Sequence, residues 1–186
     1  MIDKIFNDFL VIDNFFENPN EVKQYVDQLH FYSSEIVYLE GSFKKGGRIH
    51  NNWLGYRSED LSSKLKNYLV DLFSKKIFAN YKANVYLEMN LCFHLLPSSI
   101  KKNFSWWHSD KSILAGVVYL NEHPEKNSGT IMKINEKDFI VDNVFNRMLI
   151  YNASIPHRPE NGFGYNFKNS RITLTFFIQK LHFNYE

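Results

Sequence analysis

The sequence predicts an α+β fold: N-terminal helices packed on one of two sheets that close into a sandwich or barrel. Three observations predict it. Two amphipathic helical stretches fall within the first 83 residues, after which the helical period vanishes. From residue 84 onward, short apolar runs of strand length alternate with turn residues. Aromatics make up 17% of the chain, with 17 Phe and 11 Tyr, a composition that favours sheet packed against helix over a helical bundle. At 186 residues the chain forms one domain, large enough to bury roughly 70% of its unfolded surface. A helical support spans about 1–83 and a strand-rich core about 84–180.

The apolar run 9–16 reads as a strand ending in a turn. A helix follows over 19–29, with Asn18 as cap, Pro19 in the first position and Glu21 completing a capping box. Val22, Tyr25, Val26 and Leu29 form its apolar stripe. The next thirty residues are loop-like, rich in Gly, Ser and Asn. Leu61, Leu65, Tyr68, Leu69, Leu72 and Phe73 then mark a second helix over about 58–78. Val85, Leu87, Met89, Leu91, Phe93 and Leu95 alternate with Tyr86, Glu88, Asn90, Cys92 and His94, the period of two of a strand with one apolar face. Further strands are predicted at 106–110, 113–120, 129–134, 138–142, 147–151 and 171–179.

Composition excludes several classes. A net charge of +2 lacks the basic footprint of a nucleic-acid binder, and Lys44, Lys45 and Arg48 read as a solvated loop. The single cysteine, Cys92, forbids an intrachain disulfide and fits a reducing, cytoplasmic setting. It reads as a small core residue. The first residues carry acids early and no long apolar run, so neither a secretory signal nor a membrane span is expected.

The chemistry concentrates in His108-Ser109-Asp110, followed by His157 and then Arg171. Side chains at i and i+2 of a strand share a face, so His108 and Asp110 can chelate one ion while Ser109 turns away. Two imidazoles and a carboxylate suit a mononuclear ferrous site that keeps positions open. The triplet alone carries little weight, because such a pattern arises by chance. Its bland reading is a buried hydrogen-bonded pair. In the last strand Arg171, Thr173 and Thr175 share one face opposite Ile172, Leu174 and Phe176, and a guanidinium with two hydroxyls makes a carboxylate receptor.

Taken in order, His108-Ser109-Asp110, Tyr119-Leu120-Asn121, Ser128-Gly129-Thr130, His157 and Arg171-Ile172-Thr173 resemble the iron(II)- and 2-oxoglutarate-dependent oxygenases of the prolyl-hydroxylase-like group. The resemblance covers roughly 84–180. It is nearest to small phage-encoded members, through Trp107-His108-Ser109-Asp110, the tract 115–120 and the tract 143–147, and the stretch 53–58 looks like their helical lead-in. It implies a double-stranded β-helix, or jelly roll. It also implies Fe(II) held by His108, Asp110 and His157, and 2-oxoglutarate clamped by Arg171 with help from Tyr119 and either Thr173 or Thr175. The implied reaction uses dioxygen to hydroxylate an unactivated C–H bond in an amino-acid side chain, free or in a peptide or protein. Succinate and CO2 are released. The bulk of that chemistry belongs to the metal, and the protein supplies geometry.

Two rival readings stand beside this one. A jelly-roll module without catalysis would bind a ligand or partner, since one fold hosts many functions. A demethylase of alkylated nucleic-acid bases would share the late strand, but those enzymes carry a second arginine six residues after the first, where this chain has Phe177. Trp106 and Trp107 are expected to divide between core and pocket mouth. His94 faces the side of Glu88 and Asn90 and is given no role, while His30, His50, His123 and His182 lack partners at ligand spacing. The segments 96–105 and 160–170 are candidate lids, the second for its glycines and aromatics, and equally ordinary surface excursions.

Overall fold

A computed structural model describes residues 8–33, 54–81, 83–100 and 107–184. The loop cations Lys44, Lys45 and Arg48, together with His50, Trp53, Trp106 and positions 101–105, lie outside the described residues. The elements run β1 (Phe9–Ile12), α1 (Pro19–Val26), β2 (Phe31–Ser33), β3 (Tyr56–Ser58), α2 (Ser63–Ile77), β4 (Asn84–Leu96) and β5 (Leu114–Tyr119). They continue with β6 (Thr130–Ile134), β7 (Lys137–Val141), β8 (Met148–Asn152), β9 (His157–Pro159) and β10 (Arg171–Asn184). A seven-stranded sheet in the order β1-β8-β5-β10-β4-β3-β2 faces a three-stranded sheet in the order β7-β6-β9. All the named pairings are antiparallel, the arrangement of a jelly roll.

The long strand β4 shows why the layers form. Its odd positions Val85, Leu87, Met89, Phe93 and Leu95 are buried, and they join Leu69, Phe73 and Ile77 of α2 in one core. Phe73 sits at its centre, with ring centroids 4.7 Å from Phe15 and 4.4 Å from Phe176. A Cβ on Gly116 would come within 2.5 Å of the Phe176 ring and 2.1 Å of the Leu149 carbonyl oxygen, so only glycine lets this layer close. The opposite face of the large sheet packs on the small one through Ala115, Val117, Tyr119, Leu149, Tyr151, Met132, Ile134 and Val141.

Several boundaries differ from the sequence expectation. The second helix begins at Ser63, because Ser58 and its neighbours pair with both β2 and β4 and the Ser62 hydroxyl caps Leu65 N–H at 3.4 Å. The stretch 53–58 is therefore not a helical lead-in over its described part; Tyr56–Ser58 is a strand. Among its described residues the N-terminal support likewise contains three strands besides two helices. The first helix ends at Val26, and Asn18 makes no side-chain cap. Over its described residues 107–110 the expected strand reduces to one bridge, His108 to His157. The tract 143–147 is a docking turn: Asn146, at φ 61°, accepts from Phe16 N–H and donates to the Phe16 carbonyl, both at 2.8 Å. Arg147 grips Asp13 through two bonds of 2.6 and 3.0 Å.

Candidate metal and co-substrate site

The candidate ligands arrive from two segments stitched by few bonds. His108 and His157 exchange backbone hydrogen bonds at 3.2 and 2.9 Å, and Asp110 N–H donates to the Ala153 carbonyl at 2.8 Å. Ser109 turns outward, its hydroxyl donating to the Ser154 carbonyl at 2.9 Å. That leaves His108 and Asp110 directed to one side, as the i, i+2 spacing requires. One ligand atom each from His108, Asp110 and His157 lies within 4.8 Å of the others.

Protonation explains what this arrangement wants. Nδ1 of His157 lies 2.9 Å from the Ile155 carbonyl, which places the proton on Nδ1 and a lone pair on Nε2. Nε2 is 3.3 Å from Oδ2 of Asp110, yet that buried carboxylate oxygen accepts no hydrogen bond. Two lone-pair atoms facing each other repel unless a cation lies between them. A proton on Nε2 would join only two of the three groups, whereas a metal ion can take one ligand atom from each. The donor set therefore fits a divalent metal of the first transition row. Tyr151 backs His157 at a centroid distance of 4.6 Å, and burial with the Asp110 charge beside it pushes its phenol well above the usual range, so it stays neutral.

Arg171 and Thr173 lie deeper on the inner face of the large sheet, both buried. Arg171 Nε donates to the Ser128 carbonyl at 2.7 Å and Nη2 to the Gly129 carbonyl at 3.2 Å. This turn is itself fixed: Gly129 N–H donates to Glu160 Oε2 at 2.9 Å, and a Cβ at Gly129 would come within 2.1 Å of the Val141 carbonyl oxygen. Nε and one Nη2 hydrogen are thus occupied and the fork also hydrogen-bonds Tyr119, while its remaining N–H groups are of the kind that can serve a carboxylate. The guanidinium lies 5.6 Å from the Tyr119 ring centroid, so Tyr119 forms a floor under the fork. The Tyr119 hydroxyl is 2.8 Å from Thr130 Oγ1 and 3.3 Å from the Val141 carbonyl. Its one proton serves one of these, and a co-substrate would have to use the oxygen's remaining lone pair or redirect that proton. Thr173 Oγ1 and Thr175 Oγ1 lie 3.2 Å apart along the same face.

Strand register extends this face. Thr173 stands between Tyr119 of β5 and His94 of β4, and His94 stands beside Arg57 of β3. His94 Nε2 donates to the Leu54 carbonyl, and burial, with the charges of Arg57 and Arg171 against it, takes its pKa down to about 3. It is half-buried on this face. Cys92 is also inward, and burial raises its thiol pKa, which suits an inert packing residue. Three positions thus gain importance that the sequence did not mark: Glu160 behind Gly129, Tyr151 behind His157, and Arg57 at the end of the inner row. Only Glu160 had a local signal, three residues past the distal histidine.

Loop 160–170 is tied down. Phe163 is buried, its N–H donates to the Leu96 carbonyl at 3.1 Å, and Gly164 accepts from Ser98 N–H at 2.8 Å. The Phe167 ring stands against Phe31 and Tyr56 at 6.1 and 5.5 Å. Trp107 lies between Lys133 and Arg158, whose charges sit 4.9 and 5.1 Å from its ring. Among the described residues no helix is long and apolar enough to cross a membrane.

The fold is that of the 2-oxoglutarate- and Fe(II)-dependent oxygenase structures of the prolyl-hydroxylase kind. One such structure is a Pseudomonas putida prolyl-4-hydroxylase, 15% identical, with 96% of this chain and 97% of that chain covered at a TM-score of 0.59. Another is a Trichoplax adhaerens prolyl hydroxylase in complex with a hypoxia inducible factor peptide fragment, 15% identical, covering 96% and 86% at 0.56. A third is HygX of Streptomyces hygroscopicus with nickel and 2-oxoglutarate bound, 12% identical, covering 90% and 81% at 0.54. No family model and no curated protein matches the sequence.

Proposed function

We propose that this chain is an Fe(II)- and 2-oxoglutarate-dependent dioxygenase that hydroxylates an amino-acid side chain, free or within a peptide. The observation that carries the reading is the unsatisfied Oδ2 of Asp110 facing the lone pair of His157 Nε2, with His108 inside the same radius. The fold it shares with the 2-oxoglutarate-bound HygX and the peptide-bound prolyl hydroxylase supports the same reading.

In this proposal His108, Asp110 and His157 hold Fe(II), which when bound supplies the oxidising chemistry that couples loss of CO2 from 2-oxoglutarate to hydroxylation. Everything else falls to the chain. Ile155 holds the His157 proton on Nδ1, keeping Nε2 available as a ligand. Arg171, held by the Ser128 and Gly129 carbonyls, receives the far carboxylate of 2-oxoglutarate through its remaining donors. Tyr119 and Thr173 line that carboxylate's position, and both are fully buried, so bulk water is kept from the charge pair.

The test is an anaerobic titration of metal-free protein with Fe(II) and then 2-oxoglutarate, followed by its weak visible charge-transfer absorption. The expected result is a band that needs both additions, is lost in His157→Ala and bleaches with succinate formation when oxygen is admitted. A well-folded protein that gives no band would make this chain a jelly-roll binding module instead.

A further inference from the structure

We infer that Trp107, gripped by Lys133 and Arg158 on the outer face of the small sheet, is the positioning residue for His108. The inference rests on the metal site proposed above and names what keeps one of its ligands in place.

Register separates two faces. The bridge from His108 to His157 adds one short segment to the edge of the small sheet, so Met132, His157 and His108 form a row across it. Met132 and His157 are buried between the sheets, and His108 joins His157 in the ligand group. Alternation then turns the neighbouring row, Ile131, Arg158 and Trp107, to the outer face. Lys133, two residues from Ile131 on β6, shares that face.

The Trp107 indole spans this outer surface. Strands lie about 4.8 Å apart, so the 107 segment and β6, with β9 between them, stand roughly 10 Å apart at the backbone. Arg158 of β9 nevertheless has its Cζ 5.1 Å from the Trp107 ring centroid, and Lys133 of β6 has its Nζ at 4.9 Å. Lys133 is itself anchored, since its N–H donates to the Pro156 carbonyl at 2.8 Å and its ammonium lies 3.8 Å from Asp138. Each cation is drawn to the electron-rich ring, so one indole staples three backbone segments together.

His108 sits where such a staple matters. On its C-terminal side the segment is tied to the turn after β8, by Asp110 N–H to the Ala153 carbonyl and by the Ser109 hydroxyl to the Ser154 carbonyl. His108 itself joins β9 through the two backbone bonds of an isolated bridge, and a bridge without a ladder opens easily. Trp107 closes that bridge from the other side. His157 is buried on β9, whereas His108 is half-buried on this segment. Loosening the indole should therefore swing His108 out of the ligand group and leave Asp110 and His157 behind. A stack that served only global stability would lower the melting temperature and leave the ligand count alone.

The experiment loads the metal-free full chain with Cu(II), counts coordinated imidazoles by pulsed electron paramagnetic resonance, and measures Mn(II) affinity by calorimetry. Wild type should show two imidazoles and His108→Ala one. Trp107→Leu should move the count toward one and weaken Mn(II) roughly tenfold, the worth of two cation contacts to one ring. Trp107→Phe should recover most of both, because the smaller ring keeps the quadrupole that attracts the cations. Lys133→Gln and Arg158→Gln leave ring and ligands in place and should each cost about threefold in Mn(II) affinity, while Lys133→Arg should not. The proposal is overturned if folded Trp107→Leu keeps two imidazoles, or if the Phe and Leu variants lose affinity equally. Should Trp107→Leu fail to fold, the two Gln variants decide, and unchanged Mn(II) affinity in both overturns it. A wild type with no Cu(II) imidazole that His157→Ala removes would instead sink the metal site itself.

Discussion

Arg171 donates through Nε to the Ser128 carbonyl at 2.7 Å, so the guanidinium is oriented by the backbone of a turn 43 positions earlier in the chain. That turn is held from behind by Glu160, whose carboxylate accepts from Gly129 N–H at 2.9 Å. The charge of Glu160 also acts on Arg171, where burial lowers the guanidinium pKa and Tyr119, Tyr151 and Glu160 oppose it. If the site takes 2-oxoglutarate as proposed, its affinity depends on a residue that does not touch it.

Glu160→Gln should weaken 2-oxoglutarate binding about tenfold, close to the worth of one charge-assisted hydrogen bond of about 1.5 kcal/mol. Metal affinity should be unchanged. Calorimetry with Mn(II) and then 2-oxoglutarate checks both numbers, and equal losses in the two would make Glu160 a general fold residue.

Arg171→Ala should weaken 2-oxoglutarate far more than metal, whereas Asp110→Ala should do the reverse and remove metal binding first. Equilibrium dialysis against Fe(II) under argon distinguishes them. A variant lacking Asp110 that still binds iron tightly would take that carboxylate out of the ligand set.

His94 predicts a stability change with pH. Its folded pKa lies at about 3, below the ordinary value of 6.5, with burial the largest cause. Above pH 6.5 the ring is neutral in both states and contributes no pH dependence. As pH falls from 6.5 toward 3 the unfolded chain takes up a proton that the folded chain refuses, and stability is lost at up to about 1.4 kcal/mol per pH unit. The ring keeps some solvent contact, so the slope should be gentler than that limit. Thermal melts between pH 7.5 and 5 should show a shallower decline for His94→Gln than for wild type. Identical declines would mean that His94 protonates within the fold.

Phe73→Ala should destabilise the protein by about 3–5 kcal/mol, because a fully buried ring that joins Phe15, held by the 143–147 turn, to Phe176 of β10 leaves a cavity. Urea denaturation measures it. A loss under about 1 kcal/mol would show that α2 repacks around the gap.

How far the sequence could be read follows from the range of each signal. The alternation in β4, the shared face of Arg171 and Thr173, and the spacing of His108 with Asp110 are local patterns, and the fold keeps each of them. Strands β2, β3 and β9 span three residues apiece, too few to show a period, and form because longer strands pair with them. Leu61 misled the start of α2, since an apolar residue just before a cap looks the same as one inside the helix. Arg57 carries no pattern at all, and Glu160 only its place three residues past His157. They acquire neighbours only when β3 aligns with β4 and when the chain after β9 returns beside Gly129.

The single bridge between His108 and His157 has a consequence for how the protein matures. Strands β5 to β8 all lie between these two histidines, so the ligand atoms meet only after that whole excursion has formed and returned. An ion captured there would act as a clasp on a long loop, favouring the folded chain by mass action while offering little to a half-formed one. Iron uptake would then be a late event that reports completed assembly. Its removal should first loosen the segment around residue 108, seen as faster amide exchange there, while the large sheet stays protected.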